Sequence, residues 1–385
     1  MQNQKIRKVL VISHEYPPVG GGGGKVIQDL CEGLHKNGIA FHILTSLWKE
    51  LPEFDILDGF TIERIRSRRK EAFRASMDSM ISFVWKSFWR ALRVIKTWNP
   101  DLIHAHFAVP GGASAALAGI LTRTPYILTI HGGDVPGGAP EKTERWFRFI
   151  KPFTGYIWKN ASAVITVSQF SRQLAEAQYP VKIEVVPNGI DTTKYKQANQ
   201  KVNEPVEILF IGRFSPEKNA VAVPAILNRI KDYPWHCTMI GNGPQFKTVR
   251  ENISQLGLGE KFTLTGWLDQ EDVDSHLLSS DILLMPSLRE GMPMAGLQAL
   301  ASGNALILSK VGACEEMVDI GKNGELLNPD NIIGFSEAVA NLITSHDKLR
   351  SFKKNSKQKS SQFDLDQVIK KYQDKYTEII KGKNS

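Results

Sequence analysis

The stretch that decides the fold is Ile282-Leu-Leu-Met285, Pro286-Ser-Leu-Arg289, then Glu290-Gly-Met-Pro-Met-Ala-Gly-Leu-Gln298. Four apolar residues in a row suit a strand buried on both faces. An acid followed at once by Gly-x-Pro does not suit a helix interior. Pro293 does suit the first turn of a helix, and Leu297, Leu300 and Ala301 continue it on one face. Strand, short loop and helix make one crossover unit of a parallel sheet. The loop brings Glu290 and several backbone N–H groups to a helix N-terminus, a place that attracts anions. Two readings remain there: a helix start with an exposed acid, or a ligand site whose carboxylate grips hydroxyls.

The same alternation runs through the chain. Strands are expected at 9–13, 40–45, 102–105, 126–130, 163–167 and 183–186, with helices at 26–36, 113–122 and 171–178. A second series has strands at 206–211, 238–240, 262–265, 282–285, 305–309 and 324–327 and helices at 246–256 and 293–302. The fold class is therefore α/β, with two doubly wound Rossmann-like domains. The expected division is 1–195 and 196–362, with Pro187-Asn188-Gly189 and a polar stretch at the boundary and an amphipathic helix over 363–381. Ligands of such domains sit at the carboxyl ends of the strands, here expected in a central cleft.

A length of 385 residues exceeds one typical core, which agrees with two domains. Hydrophobic content of 42% and charged content of 23% are those of a globular protein. The net charge of +8 favours anionic partners without choosing among them. Cys31, Cys237 and Cys314 are widely separated and read as reduced, buried thiols in a cytoplasmic protein. The N-terminal pattern is not that of a signal peptide, and no run is long enough to span a membrane.

Gly20–Gly24 lies between the first strand and first helix, as a ligand-approach loop or a flexible connector. It is neither a dinucleotide fingerprint, which needs glycine at Lys25, nor a P-loop, which needs glycine at Val19 and Ser or Thr at Val26. His131, before Gly132-Gly133-Asp134, either caps a strand end or shares a proton with a ligand hydroxyl. His104 and His106 share one strand face and read as buried, hydrogen-bonded residues; a metal pair would need a third ligand. Arg213 and Lys218 follow a strand and suit a diphosphate, or else pair with Glu217 or solvent. Arg64, Arg66, Arg68, Arg69, Lys70 and Arg74 lead into a helix bearing Trp85, Phe88, Trp89, Leu92 and Ile95, with Lys86, Arg90 and Arg93 on another face. That segment, 64–96, either buries an aromatic stripe against the sheet, the preferred reading, or docks on anionic lipid.

Taken in order, these pieces resemble the retaining glycosyltransferases of family 4, with the GT-B fold. The resemblance rests on the glycine loop, Pro100-Asp-Leu-Ile-His-Ala-His106, His131-Gly-Gly-Asp134, Val186-Pro-Asn-Gly-Ile-Asp191, Gly212-Arg213 to Lys218, Gly241-Asn-Gly-Pro244, and Glu290 with Ala299-Leu-Ala-Ser-Gly303. It implies transfer of a sugar from a UDP-, GDP- or ADP-linked donor to the hydroxyl of a carbohydrate or lipid-linked acceptor, with no metal. The setting it suggests is cytoplasmic assembly of bacterial surface polysaccharide or glycolipid, with possible peripheral membrane contact through 64–96. By resemblance, Arg213 and Lys218 neutralise the diphosphate and Glu290 holds sugar hydroxyls. The backbone of Met292, Pro293, Met294 and Ala295 meets sugar and phosphate. His131 lies near the reacting carbon, Gly21 and Gly22 close over the phosphate, and Gly266 and Trp267 border the base. In such enzymes the final helix crosses back to the first domain. Gln298 departs from the family pattern, which has a glutamate there for the ribose hydroxyls. Gln298→Glu is expected to tighten nucleotide binding if that residue meets ribose. A sugar phosphorylase or epimerase of the same fold and a non-catalytic nucleotide-sugar binder are the alternatives. No nucleic-acid module surrounds the basic stretch.

Overall fold

A computed structural model describes residues 7–72, 75–135, 137, 153–196 and 201–383. Arg74 of the basic run lies outside the described residues. The chain divides into two compact units, Met1–Gly189 with Asp366–Ser385, and Ile190–Leu365.

The first unit holds β1 (Arg7–Ile12), β2 (Ile39–Ser46), β3 (Phe54–Leu57), β4 (Phe60–Ile65), β5 (Leu102–His106), β6 (Tyr126–Ile130), β7 (Ala163–Thr166) and β8 (Ile183–Val185). Their order is β3-β4-β2-β1-β5-β6-β7-β8. All neighbours pair in parallel except the edge hairpin β3–β4. The order runs one way from β1 through β2 and the other way from β5, so the topological switch lies between β1 and β5. The inner strands are buried on both faces, with Leu10, Ile12, Leu44, Ile103, Leu128 and Ile130 in one core.

The second unit holds β9 (Val206–Ile211), β10 (Trp235–Ile240), β11 (Phe262–Gly266), β12 (Ile282–Met285), β13 (Ala305–Ser309) and β14 (Gly324–Leu327). All are parallel, in the order β11-β10-β9-β12-β13-β14. Here the switch lies between β9 and β12. Both sheets are the doubly wound arrangement that the alternating sequence predicts.

Three local readings need correction. The first helix starts at Gly22, not at 26, so most of the glycine run is helix and only Gly20 and Gly21 precede it. The reason is crowding. A Cβ on Gly24 would lie 3.1 Å from the Val19 carbonyl oxygen, and one on Gly23 would lie 3.0 Å from the Phe107 ring. Second, the hairpin β3–β4 has no counterpart in the expected strands. β3 is mostly exposed, so its apolar residues carry no buried periodicity. Third, the helix Met77–Trp98 buries only part of its aromatic stripe: Phe88, Leu92 and Ile95 pack against the core, whereas the two tryptophans do not. It buries Phe83, Ser87, Ala91 and Val94. Trp85 and Trp89 are 61% and 54% exposed, and Ile81 is exposed beside them. Small side chains at 87 and 91 let the helix lie close to its neighbours, and Trp85 and Trp89, two residues away along the helix, fall on the opposite, outward side.

The last helix, Leu365–Lys383, packs on the first unit. Val368, Ile369, Tyr372 and Tyr376 are buried. The Tyr376 hydroxyl lies 2.6 Å from His104 Nδ1. Lys375 pairs with Glu184 at 2.8 Å.

In the second unit one fully buried ion pair ties the sheet to its outer layer. Lys353 Nζ lies 2.5 Å from Asp281 Oδ1, both side chains being at most 1% exposed. Asp281 Oδ2 accepts from the backbone N–H groups of Asn203 and Glu207 and from Asn203 Nδ2. Lys353→Met leaves a buried carboxylate without its cation and should lower stability by about 3–5 kcal/mol, read by urea unfolding. The double variant Asp281→Asn with Lys353→Met should recover part of that loss. A Lys353→Met protein as stable as wild type would show the pair to be dispensable.

Candidate functional site

In the second unit the switch point separates the loops after β9 and β12, and the predicted site residues lie in those loops. The first loop is held by backbone packing that only glycine allows. At Gly241 φ is +133°, and a Cβ there would lie 1.9 Å from the Gly212 carbonyl oxygen. Phe214 is fully buried, its N–H donates to the Asn242 carbonyl at 3.1 Å, and its carbonyl accepts from Gln245 N. This anchors the turn that carries Arg213 and Lys218. Asn219, at φ 52°, reaches across to donate from Nδ2 to the Pro286 carbonyl at 3.1 Å. Leu288 N donates to the Glu217 carbonyl at 2.9 Å. The two loops are thereby laced together.

Their charged side chains meet. Lys218 Nζ lies 2.7 and 2.8 Å from the two carboxylate oxygens of Glu290. The Glu290 side chain is 5% exposed and that of Lys218 is 25% exposed. A third loop supports the Glu290 backbone from behind. A Cβ on Gly312 would lie 1.8 Å from the Glu290 carbonyl oxygen, and Ala313 N donates to the Gly291 carbonyl at 2.9 Å. Glu290 is thus fixed from both sides, while the ammonium remains reachable by an anion.

The helix Met294–Ser302 starts beside this pair. Pro293 is its cap, and no side chain satisfies its first N–H groups. Among the described α-helices of this unit, those starting at Gln270 and Ile332 have side-chain caps, Asp269 and Asn331, and those starting at Ala222, Phe246, Cys314 and His346 have none. Met292 is buried, whereas Met294 and Ala295 are partly open. A helix N-terminus without a side-chain cap offers its amides to an anion. Gly266, at φ +75°, ends β11 and accepts from Gly241 N at 2.8 Å, and Trp267 beside it is 46% exposed.

Gln298 is engaged by a residue that sequence reasoning missed. Its side chain neighbours the Tyr195 hydroxyl and opposes the rise of that phenol. That hydroxyl donates to Asp274 Oδ1 at 2.6 Å, and Gln270 Nε2 donates to the same oxygen at 2.8 Å. Burial and Asp274 push the Tyr195 phenol well above its usual range. Nothing local in the sequence marks Tyr195 or Asp274, which lie 79 positions apart.

The first unit carries a second cluster at its own switch point. His131 ends β6, and Asp134 locks the turn by accepting from His131 N at 2.9 Å and Ala108 N at 2.8 Å. Burial raises the Asp134 carboxyl, and those backbone N–H groups oppose the rise. Phe107, after β5, stands at φ 68°, an outlier for a bulky residue. Its ring lies 4.6 Å from that of His131 and 4.8 Å from that of His14. Its contact with Gly23 brings the glycine helix start into the same cluster. Glu15 accepts from Gly21 N at 3.3 Å, and burial raises its carboxyl. Arg69 donates to the carbonyls of His14, Ala72 and Glu71, so this member of the basic run is structural. Arg64 and Arg66 pair with Asp55 and Glu53. His104 lies between Tyr376 and Thr129 and is satisfied inside the core. Burial brings His131 down to about 4 and His104 to about 3, so both are neutral near pH 7. Glu15, Arg69 and Asp134 were not foreseen, although an acid three positions after His131 is a readable turn signal. Cys31, Cys237 and Cys314 are buried and unpaired.

Among the described residues no helix is long and apolar enough to cross a membrane. The model of Glycosyltransferase Family 4 matches residues 20–194, and that of Glycosyl transferases group 1 matches residues 191–359. A putative teichuronic acid biosynthesis glycosyltransferase of Bacillus subtilis is 28% identical over 305 residues, 75% of this chain and 72% of that one. Sucrose-phosphate synthase of Thermosynechococcus elongatus superposes with a TM-score of 0.84 at 17% identity, over 98% of this chain and 100% of that one. Anabaena HepE, solved with UDP-glucose, superposes with a TM-score of 0.74 at 18% identity, over 96% and 99%. These structures share the GT-B fold. The two family models together run from residue 20 to 359, and the chain belongs to the family 4, group 1 glycosyltransferases.

Proposed function

We propose that the protein transfers a glycosyl group, with retention, from a nucleotide diphosphate sugar to an acceptor hydroxyl. The Lys218–Glu290 pair beside a helix start without a side-chain cap carries this reading. A cation, a fixed carboxylate and open amides are what a diphosphate joined to a hydroxyl-rich ring requires. Arg213 and Lys218 take the diphosphate, whose charge grows as the sugar–oxygen bond breaks. Glu290 and the backbone of Met292–Ala295 take the sugar. The base meets Gly266 and Trp267; β11 lies two strands from β9, about 10 Å away, a span suited to a nucleotide. Within the first unit, His131 and the backbone of Gly21 and Gly22 are the groups suited to a ligand oxygen and an anion. The acceptor oxygen bonds to the anomeric carbon on the face the diphosphate leaves, and the departing phosphate oxygen takes the acceptor's proton. No carboxylate is assigned as a covalent nucleophile, and the two cations supply the charge a metal would bring. HepE's UDP-glucose and the teichuronic acid relative favour a UDP-sugar and a surface polysaccharide or glycolipid acceptor.

The exposed Ile81, Trp85 and Trp89, at i, i+4 and i+8, are flanked by Lys86 and Arg93. We propose that this face rests on anionic lipid, with tryptophan at the headgroup level and the cations on its charge. Trp85→Ala with Trp89→Ala should lower co-sedimentation with phosphatidylglycerol vesicles about tenfold; undiminished binding would refute the contact.

Gln298 is read as an amide whose N–H holds the Tyr195 oxygen and whose carbonyl serves the ribose. The single Tyr195 proton is given to Asp274, so a carboxylate at 298 would meet an oxygen with no proton to offer. Gln298→Glu should therefore lower stability by about 1–3 kcal/mol at pH 8 and less at pH 5, where a protonated acid can donate. Thermal unfolding checks this; an unchanged midpoint at pH 8 would refute the Tyr195 argument. The tightening expected from ribose contact alone does not include this penalty.

Arg213→Ala should lower kcat about 100-fold, the roughly 3 kcal/mol of a lost leaving-group contact. Lys218→Ala should do at least as much, because it also strips Glu290 of its cation. Both are to be assayed with a chelator and with thermal unfolding in parallel. Wild-type turnover in both variants would sink the assignment.

A further inference from the structure

His106 is fully buried, and its Nδ1 lies 3.1 Å from His131 Nε2. Its other ring nitrogen, Nε2, is buried with no hydrogen-bond partner among the described residues. The His104 ring lies 4.1 Å away, but its own nitrogens are taken by Tyr376 and Thr129. Two neutral imidazoles in contact share one proton. If His131 Nε2–H were the donor, His106 would carry its proton on Nε2, an orphaned N–H in the core. If His106 Nδ1–H is the donor, Nε2 is only a bare lone pair. A buried donor without a partner is the rarer and costlier of the two.

We propose that His106 is a positioning residue: its Nδ1–H donates to His131 Nε2 and fixes His131 as the Nδ1–H tautomer. His131 then meets a ligand oxygen as a hydrogen-bond donor and does not act as a base, since its basic lone pair is occupied. Burial drives His106 well below the ordinary histidine range, with His104 and His131 adding to the shift, so the pair stays neutral through the working range. The other groups around His131 preserve this state: His14 is itself neutral, and Asp134 spends its oxygens on backbone N–H groups. Phe107 covers the ring, so His131 keeps its orientation. The role in transfer rests on the proposed function, but the tautomer does not.

The test uses the full chain labelled with ¹⁵N-histidine. Long-range ¹H–¹⁵N correlation between pH 6 and 8, with His131→Gln for assignment, should show His131 protonated at Nδ1. His106→Leu should abolish that preference and lower kcat at least tenfold with KM within about twofold. His106→Asn, whose amide N–H stands near the lost Nδ1–H, should restore the tautomer and most of the rate. An Nε2–H tautomer in the wild-type protein would overturn the proposal whatever the enzyme's substrate. Loss of rate in His106→Asn to the level of His106→Leu, with the tautomer restored, would overturn the catalytic part alone. If His106→Leu does not fold, the wild-type spectrum and His106→Asn remain decisive. Absence of transfer with any donor would count against the proposed function and leave the tautomer result untouched.

Discussion

The bidentate pair between Lys218 and Glu290 organises the second unit's site. It closes only because β9 and β12 are neighbours whose connections wind to opposite sides. Their two loops face each other across the switch point, and no third strand end intervenes. A carboxylate that is 5% exposed is stable there because a cation touches both of its oxygens. The cation is left more open than the acid. The lysine is the more accessible member of the pair, while the Glu290 backbone is fixed by its neighbours. The charge is pre-positioned, and little reorganisation is needed when a ligand's own charge develops.

That precision is set by glycines. Gly241 against Gly212, and Gly312 against Glu290, are backbone-to-backbone contacts closer than any Cβ permits. Each brings one loop within hydrogen-bond reach of the next, as Phe214 with Asn242 and Ala313 with Gly291 show. The loops behave as one laced surface on the strand ends, which is the condition for holding a carboxylate and an ammonium in register. Gly20 and Gly24 do related work in the first unit, where Glu15 and Val19 occupy the space that side chains would need.

Strand alternation, the doubly wound sheets and the charged residues of the loops were legible because they depend on local pattern. The strands of the core are continuous apolar runs; Arg213 and Lys218 follow one such run and Glu290 follows another. The edge hairpin was not legible, because Phe54, Ile56 and Leu57 are exposed and follow no buried period. The outward tryptophans were misread for a related reason. Period alone cannot say which of two apolar faces is buried, and the small residues Ser87 and Ala91 decided it. The partners of Gln298 and His131 come from distant parts of the chain. Their contacts depend on tertiary folding, and no spacing rule reaches them.

The two clusters differ in their electrostatics, and the difference follows from burial. In the second unit the charged groups pair with each other, Lys218 with Glu290, and the lysine keeps partial access to water. In the first unit, desolvation brings His131 and His14 down to about 4 and 3 and raises Glu15. Polar groups there work as neutral hydrogen-bonding partners with fixed direction. The two clusters, one charged and one neutral, therefore differ in chemistry as well as in topology. The difference arises from how deeply each sheet's switch point is covered, more than from the residue types placed there.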